Sequence, residues 1–368
     1  MPMDKNTPTT RSTNQPVKVY KSPSKGVILN PMKLALKITP QHSQQYATMA
    51  AVLAGPELLA SPLNKMIQVV VPITLAGQPY LLVTIDDAVL ASPELLAIFP
   101  RLAAISEIYE YFENIGTVQG PLLRPLDLAF THFIPPAIAE VRRYKGKTNE
   151  LFTHVMLNVA LFAGAYGEQY QQRLRILDPL AGGGTTLFLA LAYGYDTFGI
   201  EHERQTVEST EGFIKQYLTN EHIHFKEVDE RGRKAGRRYN FEIGEKGDTR
   251  LLVLARGDTR DAYEHMRDLP GGPHVHAIVA DLPYGIHHFG EVTALLSLAL
   301  PAWERLLLPG GAMALAWNAT RIDRAAMSEF VEHSTHMQVR AEQPYNLFAH
   351  GVDRVIKRRD ILIAIKPI

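Results

Sequence analysis

The sequence predicts an α/β protein in which a doubly wound, mostly parallel sheet is joined to a smaller N-terminal α+β module. Three observations predict it. Short apolar runs alternate with amphipathic segments through the second half of the chain, as β–α–β units require. The glycine turn Gly182-Gly183-Gly184 separates the apolar run Ile176-Leu177-Asp178 from the apolar segment 187–193. The next run, Tyr195-Asp196-Thr197-Phe198-Gly199-Ile200, ends in Glu201, about twenty residues beyond the glycines, as in a nucleotide-binding crossover. In open sheets of this kind ligands bind beyond the carboxyl ends of the strands.

Composition narrows the class. The chain has 368 residues, long enough for two domains, with 38 Lys and Arg against 38 Asp and Glu. Balanced charge means that any surface for a polyanion is a local patch. With no Cys, disulfides, cysteine-ligated zinc and iron–sulfur clusters are excluded. No apolar run reaches membrane-spanning length, and residues 1–25 lack a signal-peptide core, so a cytoplasmic protein is expected.

Residues 1–25 are polar and rich in Thr, Ser, Pro and Lys, the composition of a disordered tail. The N-terminal module is assigned to 26–143. It offers a helix near 43–53, then two β-runs, 66–71 and 80–85, joined by the turn Ala76-Gly77-Gln78-Pro79 as a hairpin. Apolar spacing over 95–112 predicts a further helix. No basic stripe or aromatic platform marks this module, so substrate binding and plain packing stand equally open. A basic linker, Arg142-Arg143-Tyr144-Lys145, leads to Thr148 and Asn149, candidate caps for a helix over 151–163, with cofactor contact as the alternative.

Residues 144–368 carry the larger sheet. After Glu201 a helix is predicted over 206–218, and then a charged hairpin inserted at about 221–250. Its basic tip, with Arg231, Arg233, Lys234, Arg237 and Arg238, is the best local candidate for phosphate contact, set against a solvated turn with interleaved acids. Apolar 251–254 leads to Gly257-Asp258-Thr259-Arg260, which ends a strand. The run Ala277-Ile278-Val279-Ala280 follows, ending in Asp281-Leu282-Pro283-Tyr284-Gly285. A helix over 291–307 stops at Leu308-Pro309-Gly310-Gly311 before the strand 312–317. A polar helix near 322–332, a short segment at 338–340 and a last strand at 360–365 complete the pattern.

Two strings carry chemistry. In Asp178-Pro179-Leu180-Ala181-Gly182-Gly183-Gly184-Thr185-Thr186 the glycines permit a tight turn and bare backbone at a ligand, but no Lys follows them as in a phosphate loop. Glu201 can bond ribose hydroxyls. The second string, Asp281 to Tyr284, is on its own readable as a strand-ending turn capped by Asp. Together and in this order, residues 144–367 resemble Rossmann-type S-adenosylmethionine-dependent methyltransferases of the Asp-Pro-Pro-Tyr class, which includes tRNA guanosine exocyclic-amine methyltransferases. The resemblance implies a seven-stranded sheet whose last two strands form an antiparallel hairpin at its edge. It implies S-adenosylmethionine held by Asp178, Pro179, Gly182, Gly184, Thr185, Glu201 and Asp258, with Asp178 facing the methionine amine and Asp258 the adenine amino group. It also implies that Asp281 and the Leu282 carbonyl accept the two N–H bonds of a base amine, that Pro283 stiffens the loop and that Tyr284 stacks on the heterocycle. Leu282 stands where the family has Pro, and only its carbonyl is required.

The implied reaction is methyl transfer to a nucleobase amine, in RNA and in tRNA first, with a nucleic acid as partner and no metal. The missing Cys excludes attack on pyrimidine carbon through a cysteine adduct. Amine-directed DNA methylation, a small-molecule amine substrate and a non-catalytic nucleic-acid-binding protein on the same fold are the alternatives. His287 and His288 follow the box and have no partner ligands at metal-binding spacing.

Overall fold

Strand residues of the second half are apolar on both faces, which forces helices onto both sides of their sheet. The computed structural model describes residues 19–21, 30–228, 237–283, 289–352 and 357–368. Its strands run from β1 (Tyr20–Lys21), β2 (Pro31–Ile38), β3 (Ile67–Leu75), β4 (Gln78–Asp86), β5 (Ile105–Ile115) and β6 (Val118–Pro125) in the first half to β7 (Arg175–Asp178), β8 (Asp196–Glu201), β9 (Phe225–Val228), β10 (Arg238–Glu245) and β11 (Asp248–Arg256). The last are β12 (Val275–Asp281), β13 (Leu307–Asn318), β14 (Gln338–Val339) and β15 (Arg359–Ile365). The helices are α1 (Gln44–Ala60), α2 (Pro93–Leu96), α3 (Ala137–Val141), α4 (Glu150–Ala163), α5 (Thr185–Ala192), α6 (Arg204–Asn220), α7 (Ala262–Met266), α8 (Phe289–Leu306) and α9 (Arg324–Ser334).

Among the described residues the larger sheet has nine strands in the order β14-β15-β13-β12-β7-β8-β11-β10-β9. Its centre, β13-β12-β7-β8-β11, is parallel, whereas β14, β15, β10 and β9 join antiparallel. The sheet is therefore mixed, and the mostly parallel seven-stranded expectation needs correcting. The charged insertion supplies β9 and β10, which add to the sheet as antiparallel edge strands. Phe225, Tyr239, Phe241 and Ile243 are apolar enough to extend the edge, and β10 pairs residue for residue with β11, so 251–254 belongs to the core strand itself. At the other edge β14 and β15 form the antiparallel pair.

Alternation splits the sheet's side chains between two cores. Ile176, Leu252, Leu254, Ala277 and Val279 face one side with α4, α5 and α6. Leu177, Val253, Ala255, Ile278 and Ala280 face the other with α7, α8 and α9. The first core continues into the N-terminal half, where α1 packs on α4.

That half forms a six-stranded antiparallel sheet, β1-β3-β4-β2-β5-β6. The β3–β4 hairpin turns at Ala76 and Gly77, both with positive φ, as anticipated. The helix anticipated over 95–112 is instead α2, a 3-10 turn at Phe99–Arg101 and β5. Pro100 breaks a helix there, and the β-branched and aromatic residues from Ile105 to Phe112 fit between β2 and β6. Within the expected tail, Tyr20 is buried, its ring filling the space beside Gly55, and Tyr20–Lys21 pair with Val69 and Val70. Residues 1–18 and 22–25 of that tail lie outside the described residues, as do 26–29 of the module. Helix α8 ends at Leu306, just ahead of the expected stop at 308–311, and those residues form an irregular start to β13, with Gly310 at φ +74°. No helix among the described residues is long and apolar enough to cross a membrane.

Candidate active site

Four adjacent parallel strands, β12, β7, β8 and β11, each end in or just before an acid: Asp281, Asp178, Glu201 and Asp258 respectively. Parallel neighbours necessarily bring these ends side by side. They border one cavity of about 750 Å³, whose lining includes Asp178, Pro179, Gly182, Thr185, Glu201, Asp258, Asp281, Leu282 and Pro283. Gly184 is not part of the lining but sets the turn, with φ +89° at the start of α5. Tyr284, His287 and His288 lie outside the described residues, as do Arg231, Arg233 and Lys234.

The glycine turn is stitched to the end of β8. Ala181 N donates to the Ile200 carbonyl at 2.9 Å, and Gly182 N donates to Glu201 Oε2 at 3.0 Å. Glu201 Oε1 also accepts from Glu203 N at 2.7 Å. Gly182 adopts φ +50°, and nothing would lie within 4 Å of a Cβ there, so this stretch of backbone is open to a ligand. Gly183 is different: a Cβ would fall 2.3 Å from the Tyr144 ring. Tyr144 lies on the turn and shares a 2.8 Å hydrogen bond with the Thr185 hydroxyl.

Charge around the cavity is unevenly satisfied. Burial pushes the Asp178 carboxyl up to about 7, with Asp281 and Glu201 adding to the push against hydrogen bonds from Thr186 and from Leu180 N. Hydrogen bonds from Arg260 instead hold Asp258 down at about 2, since its guanidinium and backbone N–H both donate to that carboxylate. Asp258 is thus already engaged at the position expected to meet an adenine amine.

Asp281 is engaged too. Thr148 Oγ1 donates to its Oδ2 at 2.6 Å, and the Arg359 guanidinium donates to its Oδ1. Arg359 is buried, and its guanidinium lies 3.7 Å from the centre of the Phe152 ring. Leu282 N donates to the Ala316 carbonyl at 3.0 Å and so anchors the segment to β13. The helix cap is Asn149, which accepts from Phe152 N, while Thr148 reaches the site instead. Sequence reasoning left out Tyr144 and Arg359 and favoured capping for Thr148. Only the unused hydroxyl of a Thr-Asn pair signalled that Thr148 was free to reach elsewhere. Arg238, expected in a phosphate-binding tip, is buried and bonds Asp268 and the His265 carbonyl. Among the described residues no group of three or more His, Cys, Asp or Glu could hold a metal ion.

No family model matches the chain, and no curated protein sequence matches it. Similar solved structures include TrmN from Thermus thermophilus, at 18% identity over 66% of this chain and 54% of that chain, with a TM-score of 0.38. This chain therefore spans about half the length of that protein. Others are a methyltransferase from Pyrococcus furiosus, at 16% identity over 63% of this chain and 94% of that one, TM-score 0.35, and the magnesium protoporphyrin IX methyltransferase of Synechocystis, solved with bound SAM, at 12% identity over 61% and 86%, TM-score 0.36. At these identities and TM-scores, the residues of this chain have to carry the functional case themselves.

Proposed function

We propose that this chain transfers a methyl group from S-adenosylmethionine to the exocyclic amine of a nucleobase in RNA, with a tRNA guanosine as the leading substrate. One observation supports this above the others: the glycine turn, Glu201, Asp258 and Asp281-Leu282-Pro283 surround a single cavity at adjoining strand ends. The donor set fits such a cofactor. Asp178, Glu201, Asp258 and Asp281 make the wall acidic, which suits a cationic ligand bearing hydroxyls and repels a pyrophosphate. The open backbone at Gly182 suits close approach.

Bound there, S-adenosylmethionine supplies a methyl carbon activated by a positive sulfur. The remaining work falls to the protein. Asp178 meets the amino group of the methionine part. Glu201 accepts from ribose hydroxyls, since each carboxylate oxygen keeps a second lone pair beyond its bond from Gly182 or Glu203. Asp281 and the Leu282 carbonyl accept the hydrogens of the target amine, which localises the nitrogen lone pair otherwise spread into the ring. Arg359 and Thr148 fix the Asp281 carboxylate beforehand, so its acceptors do not have to reorganise. Pro283 stiffens the loop and Tyr284 supplies a stacking face. Orientation at about 3 to 3.5 Å is the main contribution to rate. A base in a stem is extruded to reach the cavity.

The test is to incubate the protein with labelled methyl donor and, separately, unmodified tRNA, ribosomal RNA and DNA, and to identify the methylated nucleoside by mass spectrometry. An amine-methylated guanosine from tRNA is expected. Label only in DNA would replace the RNA reading, and label in none would overturn a polymer substrate.

A further inference from the structure

A second cavity, of about 770 Å³, lies at the opposite ends of the same strands, where Gly194 precedes β8 and Asp248 begins β11. It is separated from the first by the length of β11, about 30 Å for a nine-residue strand. Arg101, at the end of the 3-10 turn Phe99–Arg101, lines it although it is only 2% exposed.

Among the described residues the Arg101 guanidinium has no anionic partner. Its guanidinium lies 4.5 Å from the ring centre of Tyr193, 5.0 Å from Phe130, 5.1 Å from Tyr170 and 5.5 Å from Tyr195, and it donates to the Tyr195 hydroxyl. Among the described residues no carboxylate forms an ion pair with it, and its buried Nε has no acceptor. Glu57, which shares the Asn158 side chain with the Arg101 backbone carbonyl, spends its oxygens on Ala103 N, Ala104 N and Asn158. Nearby imidazoles do not help: burial and then the charge of Arg101 hold His132 and His154 below the ordinary imidazole range, His154 at about 3. Aromatic faces attract a guanidinium but leave its charge in place, and a buried charge ordinarily has a partner.

The same cavity has an aromatic wall. Phe130, His132 and Tyr193 all line it and are partly exposed, with ring centres 4.9 Å apart for Phe130 and His132, 5.2 Å for Phe130 and Tyr193 and 5.1 Å for His132 and Tyr193. His222 and His224 add further donors to the lining, while Asp248 is already paired with Arg250. An oxyanion attached to a flat ring matches both features.

We propose that this cavity binds a nucleotide, its phosphate paired with Arg101 and its base stacked on the wall formed by Phe130, His132 and Tyr193. The phosphate belongs either to a free nucleoside monophosphate or to the phosphorylated end of an RNA strand. The proposal is independent of the activity assigned to the first cavity.

Calorimetric titration of the full chain with adenosine monophosphate, with adenosine, and with short single-stranded RNA bearing or lacking a terminal phosphate tests it. The monophosphate should bind about tenfold or more tightly than adenosine, and Arg101→Met and His132→Ala should each weaken it by about tenfold, whereas Glu201→Gln in the first cavity should leave it unchanged. If Arg101→Met fails to fold, His132→Ala on the partly exposed wall decides. A preference for phosphorylated RNA over its dephosphorylated form identifies the RNA end as the source, and equal affinity identifies the free nucleotide. Absence of binding by both the monophosphate and the phosphorylated RNA overturns the proposal. So does binding that is lost in Glu201→Gln and kept in His132→Ala.

Discussion

Asp281 holds two donors before any substrate arrives, and its proposed task is to accept one more. Replacing it with Ala should therefore abolish methyl transfer while leaving cofactor affinity near normal. Glu201→Ala should do the reverse at the binding step, costing about 1.5 to 3 kcal/mol of cofactor affinity through lost charge-assisted hydrogen bonds. Turnover and calorimetry on the two variants check the division of labour, and full activity in the Asp281 variant would end it. Asp178 gives a pH test. Its carboxyl sits at about 7 in the folded chain, well above the ordinary carboxylate value. A raised acid favours folding below its unfolded value, and that contribution is lost as pH rises through about 7. For a cationic donor the sign is opposite, because binding selects the carboxylate. Affinity should therefore fall as pH drops below about 7, with a proton released on binding at about pH 6 and none at about pH 8. Calorimetry in buffers of different ionisation enthalpy measures that proton. At this scale the two strings were legible because their residue types announce their chemistry. Arg359 was not, since nothing beside it in the chain points to Asp281, 78 residues away.

Among the elements, the turn between β7 and α5 bears most directly on the site. Gly183→Ala would place a methyl within the Tyr144 ring and force that side chain off the turn and away from Thr185. We expect this variant to fold with little loss of stability but to bind cofactor differently. Calorimetric cofactor affinity reads the change, and an unaltered affinity would show that Tyr144 takes no part in ligand binding. Most elements were legible from period and punctuation: α4, α5, α6, β7, β8, β12 and β15 fall within a few residues of expectation. The clearest failure has a physical cause. Over 95–112 apolar spacing mimicked a helix, but two neighbouring strands left a slot that only β5 could fill. Over 308–311 the Pro-Gly-Gly signal does mark a stop, since α8 ends at Leu306 and β13 pairs regularly with β12 and β15 only from Ala312.

For the whole molecule, the two sheets share a core, and Glu57 is a tie within it. This buried carboxyl of α1 accepts from Ala103 N at 2.9 Å, Ala104 N at 3.0 Å and Asn158 of α4 at 2.7 Å. Glu57→Ala strands two buried donors, Ala104 N and the Asn158 amide, each worth about 1 to 3 kcal/mol, besides the half-buried Ala103 N, so a loss of about 3 kcal/mol is expected. Urea unfolding should show a lower midpoint with an unchanged slope; an unmoved midpoint would mean that the tie contributes nothing. Read alone, the sequence determined that strands and helices alternate, that a glycine turn precedes an acid by a crossover's spacing, and that Asp281 closes a buried strand. Those features are local, written in apolar period and in the backbone freedom of glycine. Tertiary structure alone decided the neighbours: the edge strands that make the sheet mixed, the burial that lifts Asp178, and the antiparallel run of β15 that carries Arg359 to the carboxyl ends of the parallel strands. Such pairings depend on which surfaces meet in space, and a partner's distance along the chain leaves no trace in the residues beside either one.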